Sequence, residues 1–163
     1  MSDNRERIER DIRLPFRFRR KPMPIAAELR PDWKISTLLL ILQISSYGGK
    51  SSLKRLHVLN WAIRYPQFGA EFKEARANPL PLFGFSVRFE PAFSRAIDLA
   101  VAEQLVSWVG GDRLQITQKG RRWVTGILKD ESLMRPERDF LTGISKTVTE
   151  TVAEGLLSSK VSW

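Results

Sequence analysis

The stretch SYGGKSS ends like a phosphate-binding loop, because Gly49-Lys50-Ser51 matches the last residues of that motif. The loop works by cradling phosphates with backbone N–H groups, so it needs a further glycine five positions earlier and a strand leading into it. Position 44 is isoleucine, and the run before it reads as a helix. Gly48 and Gly49 are therefore better read as a helix stop. His57 is the sole histidine and cysteine is absent, so a zinc site lacks ligands. His57 and Asn60 sit three apart beside Trp61, the spacing of a partly buried polar pair at a packing edge. Glu71 and Glu74 share a helix face and read as solvated surface. No nucleophile-elbow sequence is present. These residues specify no active site, and the expectation is a non-enzymatic chain without a cofactor.

What remains is charge. The 163 residues carry 27 Lys+Arg against 18 Asp+Glu, a formal net charge of +9. A balance of this size favours a polyanion such as nucleic acid, an acidic membrane or an acidic protein. Three clusters could touch nucleic acid. They are an N-terminal arm (Arg13, Arg17, Arg19, Arg20, Lys21), the start of the second helix (Lys50, Lys54, Arg55), and a wing with its exit (Arg113, Lys119, Arg121, Arg122). If they converge they form a patch for the phosphate backbone, with salt-sensitive and nearly sequence-blind binding. If they do not, they are ordinary solvated surface. The longest apolar run, Leu38 to Leu42, is too short to span a bilayer. The N-terminus has no apolar core of a secretory signal, and the lack of cysteine suits a reducing compartment. A cytoplasmic protein with no membrane contact is expected.

The elements that would position these residues follow from periodicity. In LPFRFRRKPMP, Phe16 and Phe18 alternate with Arg17 and Arg19, and prolines 15, 22 and 24 keep the arm extended. WKISTLLLILQI is apolar on nearly every side, which predicts a central core helix. SLKRLHVLNWAIRY follows, with Leu53, Leu56, Leu59 and Ile63 inward and Lys54, Arg55 and Arg64 largely outside that stripe. Residues 66–81 read as a short helix and a proline-bounded loop. The alternation in LFGFSVRF (Leu82 to Phe89) predicts a strand with one buried face. Pro91 opens an amphipathic helix through Phe93, Ala96, Ile97, Ala100 and Val101. A hairpin with Gly110-Gly111 at its tip comes next. A helix from about Thr117 then turns Trp123, Val124, Ile127 and Leu128 inward. A last helix from Pro136 repeats Phe140, Ile144, Val148, Val152 and Leu156 every four residues. That stripe packs on the domain's own core or forms a docking or dimerisation face.

The fold class is therefore α+β and mostly helical. A winged-helix-like domain with a small β-hairpin wing (32–130) lies between an N-terminal extended arm (1–31) and a C-terminal helical extension (131–163). In a winged helix, the helix before the hairpin usually reads the major groove. Here it is EPAFSRAIDLAVAEQ, with Glu90, Asp98 and Glu103 against Arg95 alone. Phosphates flanking the groove repel such a helix.

Several stretches resemble one family. ELRPDWKISTLLLIL, GGKSSLKRLHVLNWAIR, FEPAFSRAIDLAVAEQLV and DRLQITQKG are similar to the middle component of bacterial ABC-three-component systems, which include Lamassu-like anti-phage operons. The resemblance spans roughly residues 28–125, and LKRLHVLNWAIR is its most distinctive part. It implies a non-enzymatic winged-helix subunit encoded beside an SMC/Rad50-like ABC ATPase and an effector subunit, often a nuclease. Such a subunit would bind the ATPase and help couple DNA sensing to the effector. The alternative is a stand-alone winged-helix transcription regulator, dimeric and specific for one operator.

Overall fold

The computed structural model describes residues 26, 29–66, 87–144 and 147–158. Its first helix, α1 (Pro31–Leu40), begins with a proline whose fixed φ suits a first turn and whose missing N–H would be unbonded there anyway. A π-helical turn, Ile41–Ser45, continues it. Leu38 to Leu42 are all 0% exposed, so the all-apolar run lies at the centre of the core. Gly48 and Gly49 adopt left-handed φ values of 63° and 71°, and a single 3₁₀ turn, Tyr47–Gly49, leads the chain into β1 (Lys50–Ser52). Only glycine takes up such angles without a steric penalty. Ser52 then caps α2 (Leu53–Arg64), its Oγ accepting from Arg55 N at 3.1 Å.

Next come α3 (Pro91–Ala102), β2 (Val106–Val109), β3 (Arg113–Ile116), α4 (Gln118–Lys129), α5 (Arg135–Ile144) and α6 (Glu150–Ser158). The three strands form one antiparallel sheet in the order β1-β3-β2. Helix, strand, two helices and a hairpin whose return strand is central make this a winged-helix-like, mostly helical α+β fold. The core is built on α1, which packs extensively against α3. α4 follows the hairpin closely. A Cβ on Gly120 would stand 2.2 Å from the Leu105 carbonyl oxygen, so the helix can lie against the backbone there only because residue 120 has no side chain. Among the described residues, no helix is long and apolar enough to cross a membrane.

Several expectations change. The strand β1 was not foreseen; of the two serines, 51 and 52, that the sequence offers as a cap for the helix after it, Ser52 is the one that caps. Of the strand expected over Leu82 to Phe89, residues 82–86 lie outside the described residues, and 87–90 are irregular. The arm cations at 13, 17, 19, 20 and 21, and the short helix expected within 66–81, also fall outside them save for residue 66. The single last helix is two helices, and its stripe is not a free docking face. Ile144, Val148 and Leu156 are buried in the core, and Phe140 and Val152 pack against it. α5 packs on the π-helical end of α1, and α6 packs on α2. Each such buried side chain stabilises the fold by about 1.5–3 kcal/mol. That burial occupies the surface that dimerisation through this stripe would need. In α4, Val124 and Ile127 point inward as expected, but Trp123 and Leu128 are 42% and 40% exposed.

Candidate functional site

The outer face of the sheet is polar save for Val109, which pairs with Arg113. Cross-strand partners share a face, so the pairing Lys50↔Gln115, Ser52↔Arg113 and Ser107↔Gln115 sets Lys50, Ser52, Arg113, Gln115 and Ser107 on one side. Leu114 and Ile116 point to the other side and are buried. Lys50 and Arg113 are diagonal neighbours, a spacing of roughly 7–8 Å between such residues. They line one open cleft of ≈ 480 Å³ with Tyr47, Arg55, Thr149 and Glu150 among its walls. Neither Lys50 nor Arg113 has an ion-pair partner among the described residues.

The inner wall of this cleft corrects the reading of Arg55. Its side chain does not reach for a phosphate but is 5% exposed. Nε donates to Val148 O at 2.7 Å, Nη1 to Ser46 Oγ and Ser51 Oγ at 3.1 Å each, and Nη2 to Ser45 O. Glu150 stands opposite and accepts from Ser52 N at 3.0 Å, from the Ser52 hydroxyl, and from Ser51 Oγ at 3.4 Å. Burial pulls the guanidinium below its ordinary value, and the charge of Glu150 opposes that shift. Arg55 and Glu150 thus tie the end of α1, β1 and the start of α6 together from beneath the cleft.

The other basic candidates do not all converge. Lys54 and Arg122 are exposed. Lys119 is held by Glu103, its Nζ donating to the Glu103 carbonyl at 2.7 Å and lying 3.4 Å from the carboxylate. Arg121 folds back, with Nη1 donating to Gln43 Oε1 at 2.8 Å. The wing is short, a three-residue loop of Gly110, Gly111 and Asp112, and Asp112 O accepts from Leu53 N at 2.9 Å. Its exposed tip therefore offers Arg113 beside an acidic neighbour.

A second polar cluster is internal. Lys34 is 1% exposed, and its Nζ donates to Glu90 Oε2 at 2.6 Å. Asn60 Nδ2 donates to the same oxygen at 3.0 Å, and Arg64 Nη1 lies 3.3 Å from Oε1. Burial raises the Glu90 carboxyl, but the hydrogen bonds from Lys34 and Asn60 and the charges of Lys34 and Arg64 outweigh it and hold Glu90 below the usual range. His57 is 3% exposed, between the edges of Phe89 and Phe93 at centroid distances of 4.5 and 5.3 Å. Among the described residues, neither its Nδ1 nor Asn60 Oδ1 has a hydrogen-bond partner. Burial pushes His57 down from 6.5 to about 4, against a small opposing pull from Glu90. It is neutral at physiological pH, as a packing residue would be.

The consequence for stability has a definite sign. The folded value is the lower one, so the unfolded chain takes up the proton first as pH falls. The contribution is fully present above 6.5 and is lost as pH falls through about 4. Denaturant titrations of the native chain should lose about 2 kcal/mol between pH 7 and 4.5 through this residue alone. His57→Leu should remove that portion of the slope, and an unchanged slope would contradict the buried, neutral assignment.

Sequence reasoning singled out Lys50 and Arg113, which line the cleft, and did not single out Tyr47, Glu150 or Lys34. Nothing in the local pattern marks them, since each is defined by a partner or an opening far along the chain. Among the described residues, no group of three or more His, Asp or Glu side chains could hold a metal. No protein-family model, no curated protein and no solved structure matches the chain. The functional reading therefore rests on the geometry and on the resemblance in the sequence.

Proposed function

We propose that this chain is a non-enzymatic winged-helix subunit of a cytoplasmic bacterial defence complex. It binds an SMC-like ABC ATPase and helps couple DNA sensing to an effector subunit. The observation that carries this reading is the outward face of α3, the helix that would read a groove. That face presents Ser94, Arg95, Asp98, Leu99, Ala102 and Glu103. Glu90 has turned inward to Lys34 and Glu103 is paired with Lys119, which leaves Arg95 beside Asp98 and no net positive charge on that face. Leu99 is 46% exposed on that face, and Trp108 on the neighbouring hairpin is also 46% exposed. A face without net positive charge and with exposed apolar side chains suits a protein partner better than a phosphate-lined groove. The C-terminal stripe, one surface through which a regulator could dimerise, packs on the domain's own core instead. DNA contact in this reading is a backbone contact away from α3. Affinity recovery of the tagged full-length chain from its native host, with bound proteins identified by mass, tests it, and a large ABC ATPase is the expected companion.

A further inference from the structure

We propose that the cleft over the outer sheet face binds single-stranded nucleic acid, with Lys50 and Arg113 on a phosphate and Tyr47 stacked on an unpaired base. This deepens the backbone-contact part of the function above and names where it happens. Three observations converge. Lys50 and Arg113 sit diagonally on adjacent strands, and neither has an ion-pair partner among the described residues. Glu150, the acid in the same cleft, has its oxygens engaged by Ser51 and Ser52 and faces the buried Arg55. Tyr47 is 100% exposed at the rim, on the turn whose two glycines take left-handed angles.

A tyrosine standing wholly in water adds nothing to the core. Beside two cations it has the make-up of a stacking platform, in which the groove tracks the backbone and a ring takes the face of a base. A duplex keeps its base faces stacked on each other and offers none to Tyr47. The cleft should therefore prefer unpaired strands, ends or bubbles, without sequence preference.

The test is fluorescence anisotropy of the full-length protein with a labelled single strand of about 20 nucleotides and with the matching duplex. Lys50→Glu with Arg113→Glu should weaken single-strand binding at least about tenfold and reduce the log–log salt slope by about 0.7. Arg95→Glu with Lys129→Glu makes the same charge change on exposed helix faces elsewhere and should cost far less. Tyr47→Ala should weaken single-strand binding about fivefold or more and leave duplex affinity unchanged. All these positions carry partly or fully exposed side chains, and thermal melts establish that each variant is folded. The proposal is overturned if the native protein does not bind the strand, if the control pair loses as much as the cleft pair, or if Tyr47→Ala changes nothing. Strand binding and recovery of the ATPase are separate readouts, so this site and the partner assignment can fail independently.

Discussion

Arg55→Ala is expected to destabilise the protein by about 3–5 kcal/mol, because it breaks a buried ionic network from one side. Four acceptors lose their donor at once: Ser45 O, Ser46 Oγ, Ser51 Oγ and Val148 O. Two of these are backbone carbonyls, Ser45 O and Val148 O. Glu150 also loses the cation facing it. For a chain of this length the melting temperature should fall by about 6–20 °C. Arg55→Lys should recover little, since one ammonium cannot reach groups spread around a planar fork. Urea denaturation measures the effect. A surface role would give the opposite pattern, with stability unchanged and nucleic-acid affinity reduced.

The second large effect belongs to Glu90. It is the only carboxylate on Lys34 among the described residues, and Lys34 is 1% exposed. Glu90→Ala leaves that ammonium buried and unpaired, at a cost of about 3–5 kcal/mol. Asn60 and Arg64 lose their acceptor too. Replacing both ends of the pair, Lys34→Met with Glu90→Leu, removes the charge problem. The double variant should lie within about 2 kcal/mol of the native chain, the remainder being Asn60 left without its bond. A double variant as unstable as the sum of the singles would show that the pair does not act as a pair. Glu90 directly precedes α3, so this contact also fixes how the pre-wing helix enters the core.

The parts of the fold legible in the sequence are those specified locally. Leu38 to Leu42 marked the central helix, Gly110-Gly111 marked the hairpin tip, and the Phe93 to Val101 spacing marked α3. The parts that were not legible depend on distant partners. β1 is three residues long and exists because Lys50 pairs with Gln115, far along the chain. Arg55 looked solvent-facing because it lies off the leucine stripe of α2. Its burial depends on Val148, 93 residues away, and on the π-helical turn that delivers Ser45. Lys34 is inside because Glu90, 56 residues on, meets it there. The stripe from Phe140 to Leu156 kept helical spacing across a break. Thr149 starts α6 afresh, its Oγ1 accepting from Val152 N at 3.2 Å.

The candidate site divides in the same way. Charge composition pointed to a polyanion and to Lys50 and Arg113, but the sheet register is what places the two together. Lys119 and Arg121 had the same appearance in sequence, yet Glu103 and Gln43 engage them.

The most direct test of the subunit assignment is recovery of the tagged full-length chain from its native host after nuclease treatment, followed by mass identification and stoichiometry. The expected result is an SMC-like ABC ATPase in constant ratio to this chain, retained without DNA. Recovery of this chain alone, or an ATPase that departs with the nucleic acid, would contradict it.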